Sequence, residues 1–141
     1  MEAELQASPD ALTLSRSVAS LQTFADWLDR RLDALALAPQ TAYALRLCLE
    51  EAVMNSFYHA VSDEDGEHPI RVWAGLADGA PSAWVEDDGP PFDPAEAALP
   101  EKPKALESAA IGGAGLRLMR HYAKRMAYRR IGGVNRLELA F

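Results

Sequence analysis

With one cysteine, Cys48, the chain has no internal disulfide, so its 141 residues must rely on ordinary packing for stability, which this length allows. Long apolar runs are absent too: none approaches the ~20 residues that a bilayer-spanning helix requires, and no membrane partner is expected. Positive charge is scarce, with 14 Lys and Arg against 21 Asp and Glu and a net charge of -7. A phosphate-backbone partner would need a broad basic face, so direct nucleic-acid binding is not expected. A basic leader is also missing, since Met1 is followed by Glu2 and Glu4, and a cytoplasmic location is expected. The basic residues present gather late, at Arg117, Arg120, Lys124, Arg125, Arg129, Arg130 and Arg136, a cluster suited to a small polyanion or an acidic protein surface.

What is there reads as one globular domain, 49% hydrophobic and 25% charged. Residues 1–15 form an N-terminal segment in which Ala11 to Leu14 alternates like an edge strand. Leu21, Phe24, Ala25, Leu28, Leu32 and Leu35 share one face of a first helix. Pro39 ends that helix or opens the second, which runs to about Ala60. A polar loop, Ser62 to Pro69, precedes a hairpin in which Ile70, Val72 and Ala74 alternate, Asp78-Gly79 turns, and Ala83 to Val85 resumes. The acidic end Glu86-Asp87-Asp88 runs into a turn stiffened by Pro90 and Pro91. Residues 95–110 have no steady period and read as a mobile loop of the kind that forms lids. Gly112-Gly113-Ala114-Gly115 then opens a helix carrying Leu118, Met119, Tyr122, Ala123 and Met126 at helical spacing, and a hairpin turning at Gly132-Gly133 closes the chain. Two hairpins with helices before and between them predict an α+β two-layer sandwich: a mixed, mostly antiparallel sheet covered on one face by three helices.

The chemistry concentrates in Leu47 to Ala60, LCLEEAVMNSFYHA. Glu51, Asn55 and His59 recur every four residues, on one helical face with about 6 Å of rise between neighbours. A carboxylate, a carboxamide and an imidazole so aligned could hold a metal ion and a water, or could simply face solvent. Asp87 at a strand end offers a buried carboxylate, and the glycines at a helix start offer free backbone N–H groups to phosphate. Cys48, in an apolar helical run, reads as an inert core thiol.

In order, EEAVMNSFYHA, VEDDGPPFDP, IGGAGLRLM and a last hairpin ending NRLELAF resemble the Bergerat-fold ATPase superfamily of gyrase, histidine kinases and mismatch-repair ATPases. Within it, the chain is most similar to the stand-alone anti-sigma factor serine/threonine kinases, over roughly Leu21 to Phe141. The resemblance implies ATP and Mg²⁺ as ligands. Asn55 would bind the metal, Glu51 would be the general base, Asp87 would accept from the adenine amino group, and Gly89 would let the base approach. Gly113, Gly115 and Leu116 would lie along the phosphates, and His59 would orient Asn55 or touch phosphate. Pro91 stands where the superfamily tends to have glycine, Glu138 where a small hydroxyl residue often contacts adenine, and Lys124 where the branch often has an acidic residue. The chain leaves no room for a helical phosphoacceptor domain, so the phosphate is expected to go to a partner: an anti-sigma factor antagonist, with a sigma factor as the alternative or additional partner. A homodimer is possible in such relatives. Arg16, Arg30 and Arg31 are candidate docking residues. The competing reading is a module that keeps the fold as an interaction surface and transfers nothing.

Overall fold

A computed structural model describes residues 10–59, 69–93 and 113–141. Its elements are β1 (Leu12–Leu14), α1 (Val18–Leu35), α2 (Pro39–His59), β2 (Ile70–Ala77), β3 (Ala80–Asp87), α3 (Gly113–Tyr122), β4 (Arg125–Ile131) and β5 (Val134–Ala140). The lid expected over residues 95–110 lies outside the described residues, as does most of the loop before Pro69.

Both hairpins follow from their turns. Asp78 and Gly79 have φ of 55° and 82°, and Gly132 and Gly133 have 58° and 81°. Two successive positive φ values make a type I′ turn, whose twist matches that of the strands it joins. The turns fix Ala77 opposite Ala80 and Ile131 opposite Val134. The hairpins dock through β3 and β5, giving the order β1-β2-β3-β5-β4 with every neighbouring pair antiparallel. The expected α+β sandwich is therefore present, with an antiparallel sheet and three helices among the described residues.

Helix α1 starts where the Ser17 side chain accepts from the Ser20 N–H, satisfying one of the orphan donors of the first turn. It ends at Ala36, in the left-handed region at φ 51°, so it stops before Pro39, which opens α2. Phe24, Leu28 and Leu32 are buried, and Leu21 and Leu35 only partly covered. Helix α2 is the centre of the core: Leu45, Cys48, Leu49 and Val53 are fully buried, between the sheet and α3. Cutting a leucine there to alanine would cost about 2–5 kcal/mol. The helical spacing read as far as Met126 is interrupted after Tyr122. Lys124 N–H donates to Ala140 O at 2.7 Å, β4 begins at Arg125, and Met126 packs on the core as a strand residue.

On the face of the sheet away from the helices, Trp84 is nevertheless only 7% exposed. Trp73 stacks on it at 6.3 Å, and the Arg136 and Arg71 guanidinium carbons lie 4.3 and 5.3 Å from its ring centre. Glu86, 3% exposed, pairs with Arg71 and with Arg136 at 2.7 Å; Glu138 accepts from Arg136 at 2.8 Å and Arg129 at 2.6 Å. The late basic cluster is thus not one free cationic surface, because Arg129 and Arg136 are spent in this ladder and Arg130 donates to Gly89 O and Asn135. Among the described residues, no helix is long and apolar enough to cross a membrane.

Candidate functional site

The last turns of α2 meet the end of β3 on the helix-covered face. Strand alternation turns Ala83, Val85 and Asp87 toward the helices, and Ser56 Oγ donates to Asp87 Oδ2 at 2.7 Å. The β3–β5 register sets Asn135 opposite Asp87, and Asn135 Nδ2 donates to Asp87 Oδ1 at 2.9 Å. Gly89 N–H adds a third donor, to Oδ1 at 3.0 Å. Asp87 is partly exposed, so the expectation of a buried carboxylate fails there; the buried one is its neighbour Glu86, which alternation sends to the opposite face between two arginines.

Asn135 holds the floor of this site together. Its Nδ2 also reaches Gly89 O at 3.1 Å and Pro90 O at 2.9 Å, while its Oδ1 accepts from Tyr128 OH at 2.5 Å and Arg130 at 2.8 Å. Glu138, matched from the sequence with a hydroxyl residue touching adenine, lies on the other face in the arginine ladder. The last-strand residue beside Asp87 is Asn135, which the sequence reading passed over together with Ser56, Phe92 and Tyr128. A signal existed: Asn135, Leu137 and Leu139 share one strand face, so a polar residue heads an otherwise apolar row.

These groups enclose a pocket of about 30 Å³ lined by Asn55, Ser56, Asp87, Phe92, Tyr128 and Asn135, among others. At 10–15 Å³ per water such a space takes about two waters, far below the ~300 Å³ of a small-molecule site.

Asn55 is 6% exposed, and its amide nitrogen has no hydrogen-bond partner among the described residues. A buried amide left in that state is costly and suits a group that a ligand completes. Glu51, one turn earlier, is partly exposed and lies outside the pocket lining, with its carboxylate against Gly115 of α3. Gly113 opens α3, and the Leu116 side chain, 7% exposed, belongs to the core. His59 closes α2, and its side chain lies outside the described residues. Of the residues proposed from the sequence, the structure brings Asn55 and Asp87 to one pocket, with Gly89 bonded to Asp87, and Glu51 and Gly115 to the α2–α3 contact.

No three His, Cys, Asp or Glu residues among those described form a metal-holding group. Mg²⁺ typically takes one or two oxygen ligands from the protein and fills its octahedron with water and phosphate oxygens, so Asn55 Oδ1, with Glu51 one turn earlier, fits that ion, while the unpartnered Nδ2 is a donor that suits a phosphate oxygen and not the metal. Below Asn55, the Cys48 thiol is pushed up to about 11 by burial and then by the Glu51 charge, which keeps it protonated and unreactive. Of the candidate docking arginines, Arg16 donates to Phe57 O at 2.5 Å and Arg31 to Ala74 O at 2.6 Å, which turns both inward.

Comparison with known proteins agrees with this geometry. The chain is 30% identical over 137 residues, 96% of its length and 94% of the other's, to the serine/threonine-protein kinase BtrW of Bordetella bronchiseptica. Residues 14–141 match the family model of the histidine kinase-like ATPase domain, a span that takes in β2 to β5, the three helices and every site residue named above. A family model matched over nearly the whole chain settles its place among known proteins: the chain belongs to the histidine kinase-like ATPase domain family.

Proposed function

We propose that the protein is a Mg·ATP-dependent serine/threonine kinase of the anti-sigma type, acting in the cytoplasm on an anti-sigma factor antagonist and sequestering a sigma factor. The observation that carries this reading is Asn55, buried in the Asp87 pocket one turn from Glu51, with an unpartnered Nδ2 donor that a phosphate oxygen would satisfy. The name of the Bordetella relative, a serine/threonine-protein kinase, supports the kinase part of it.

In this reading Asp87 Oδ2, shared with Ser56, accepts from the adenine amino group, while Asn135 and Gly89 occupy Oδ1. Mg²⁺, when bound at Asn55, supplies charge neutralisation at the phosphates. Glu51 removes the proton of the acceptor hydroxyl, whose oxygen bonds to the γ-phosphorus as the bond to the leaving ADP oxygen breaks; the proton ends on the Glu51 carboxylate. The place of the Glu51 carboxylate, against Gly115 and outside the pocket lining, favours a second reading, a catalytically silent module that uses the fold as a nucleotide-responsive protein-binding surface.

Two measurements separate the readings. Magnesium-dependent thermal stabilisation by ATP is expected, since ligand at 100 times its dissociation constant adds about 2.7 kcal/mol; Asn55→Ala should abolish the magnesium dependence. Labelled phosphate should pass from ATP to a serine or threonine of a protein co-purified from the native host, and Glu51→Ala should stop it. Transfer at wild-type rate by Glu51→Ala rejects the base assignment, and ATP binding without any transfer selects the silent module.

A further inference from the structure

Gly115 stands where α3 presses on α2. It is buried in the first turn of α3, and the adjoining core is filled by Leu116 and Met119 against α2. A Cβ built on Gly115 would overlap Glu51 Oε1 and would stand only 3.2 Å from Glu51 Cδ and 3.4 Å from Glu51 Cβ. The whole Glu51 side chain therefore lies along the notch left by the missing methyl group. Neighbouring Cys48 senses the Glu51 charge, which agrees with a carboxylate turned toward the α2–α3 seam.

We infer that Gly115 is a positioning residue for Glu51: the hydrogen in place of its side chain forms the seat that holds the carboxylate at the first turn of α3. This rests on the reading of Glu51 as the base that deprotonates the acceptor hydroxyl. It gives Gly115 a task distinct from any backbone contact to phosphate, because alanine keeps the N–H and removes only the seat. A general base must lie within hydrogen-bond reach of the proton it takes, so expelling the carboxylate from the notch acts on transfer and not on nucleotide binding.

The test is a double-mutant cycle of wild type, Gly115→Ala, Glu51→Ala and the double variant, with two readouts. For phosphoryl transfer, Gly115→Ala should lower kcat by about 100-fold, the cost of a misplacement near 1 Å, while affinity for a fluorescent ATP analogue changes by less than about threefold. Any residual transfer left in the Glu51→Ala background should fall no further with the same substitution. For stability, alanine is the better helix former, so Gly115→Ala should raise the urea midpoint more when residue 51 is alanine than when it is glutamate. A loss of nucleotide affinity matching the loss of rate would overturn the inference, assigning Gly115 to the phosphates; so would equal effects in both backgrounds. If the wild type transfers no phosphate, the kinase reading fails by itself, and the urea cycle alone decides the seat: unequal midpoint shifts uphold it, equal shifts reject it.

Discussion

Replacing Asn135 by alanine removes a side chain that makes five hydrogen bonds: to Asp87, Gly89 O and Pro90 O from its nitrogen, and from Tyr128 and Arg130 to its oxygen. A typical bond is worth about 0.5–1.5 kcal/mol net. Pro90 and Arg130 are exposed, so water replaces Asn135 for them, but Tyr128 and Asp87 are only partly accessible and lose more. The loss should therefore total about 2–3 kcal/mol, and with a urea dependence of about 1–3 kcal/mol per molar the midpoint should fall by about 1 M. Nucleotide affinity should fall as well, because the Asp87–Pro90 turn loses its tie to β5. Asn135→Asp is the sharper companion. It keeps an acceptor for Tyr128 and Arg130 but sets a carboxylate oxygen where a donor now stands 2.9 Å from Asp87 Oδ1. Like charges raise the folded-state pKa of the introduced group, so its penalty is absent at low pH and grows as pH rises through the carboxylate range. A midpoint shift below about 0.3 M for Asn135→Ala, or a pH-independent penalty for Asn135→Asp, would refute this account of the site's floor.

Three further outcomes follow from single residues. Ala36 caps α1 at φ 51°, where glycine carries no Cβ penalty, so Ala36→Gly should stabilise the protein by about 1 kcal/mol in urea unfolding; a loss would show that the cap is not strained. Burial alone would raise the Glu138 pKa, but hydrogen bonds and charge from Arg129 and Arg136 outweigh it and hold the carboxyl below its usual 4.5; that stability is present above pH 4.5 and lost as pH falls through the folded value, so Glu138→Gln should flatten the acid limb of a stability-versus-pH curve. The Cys48 thiol, at about 11, should resist iodoacetamide at pH 8 until the protein unfolds, and native-state labelling at the rate of a free thiol would contradict its burial.

Much of the architecture was legible because local chemistry dictates it. Asp78-Gly79 and Gly132-Gly133 can scarcely do anything but turn with positive φ, and each turn then fixes a hairpin and its register. Asn55 and Asp87 could be singled out from motif order, and the pocket unites them. What stayed hidden depends on contacts between distant residues. Asn135 reaches Asp87 across 48 positions, a pairing that exists only once β3 and β5 align. The same register separates Glu86 from Asp87 and sends Glu138 to the far face, where its neighbours are arginines. Met126 misled for another reason, since an apolar residue facing the core satisfies the helical spacing of α3 and the alternation of β4 equally well.

The β3–β5 junction also bears on how the chain reaches its folded state. Each hairpin closes over a two-residue turn and forms quickly, on the order of 1–10 μs, whereas joining them brings together strands far apart in the chain. Asp87 lies on one side of that junction and Asn135 on the other, so the pocket comes into being only when the two hairpins dock. If the two hairpins are still apart in the transition state, ATP has nothing to bind there, and stopped-flow kinetics should show it slowing unfolding while leaving the folding rate nearly unchanged. Ligand would then act as a latch on a finished molecule, lengthening its lifetime without guiding its assembly.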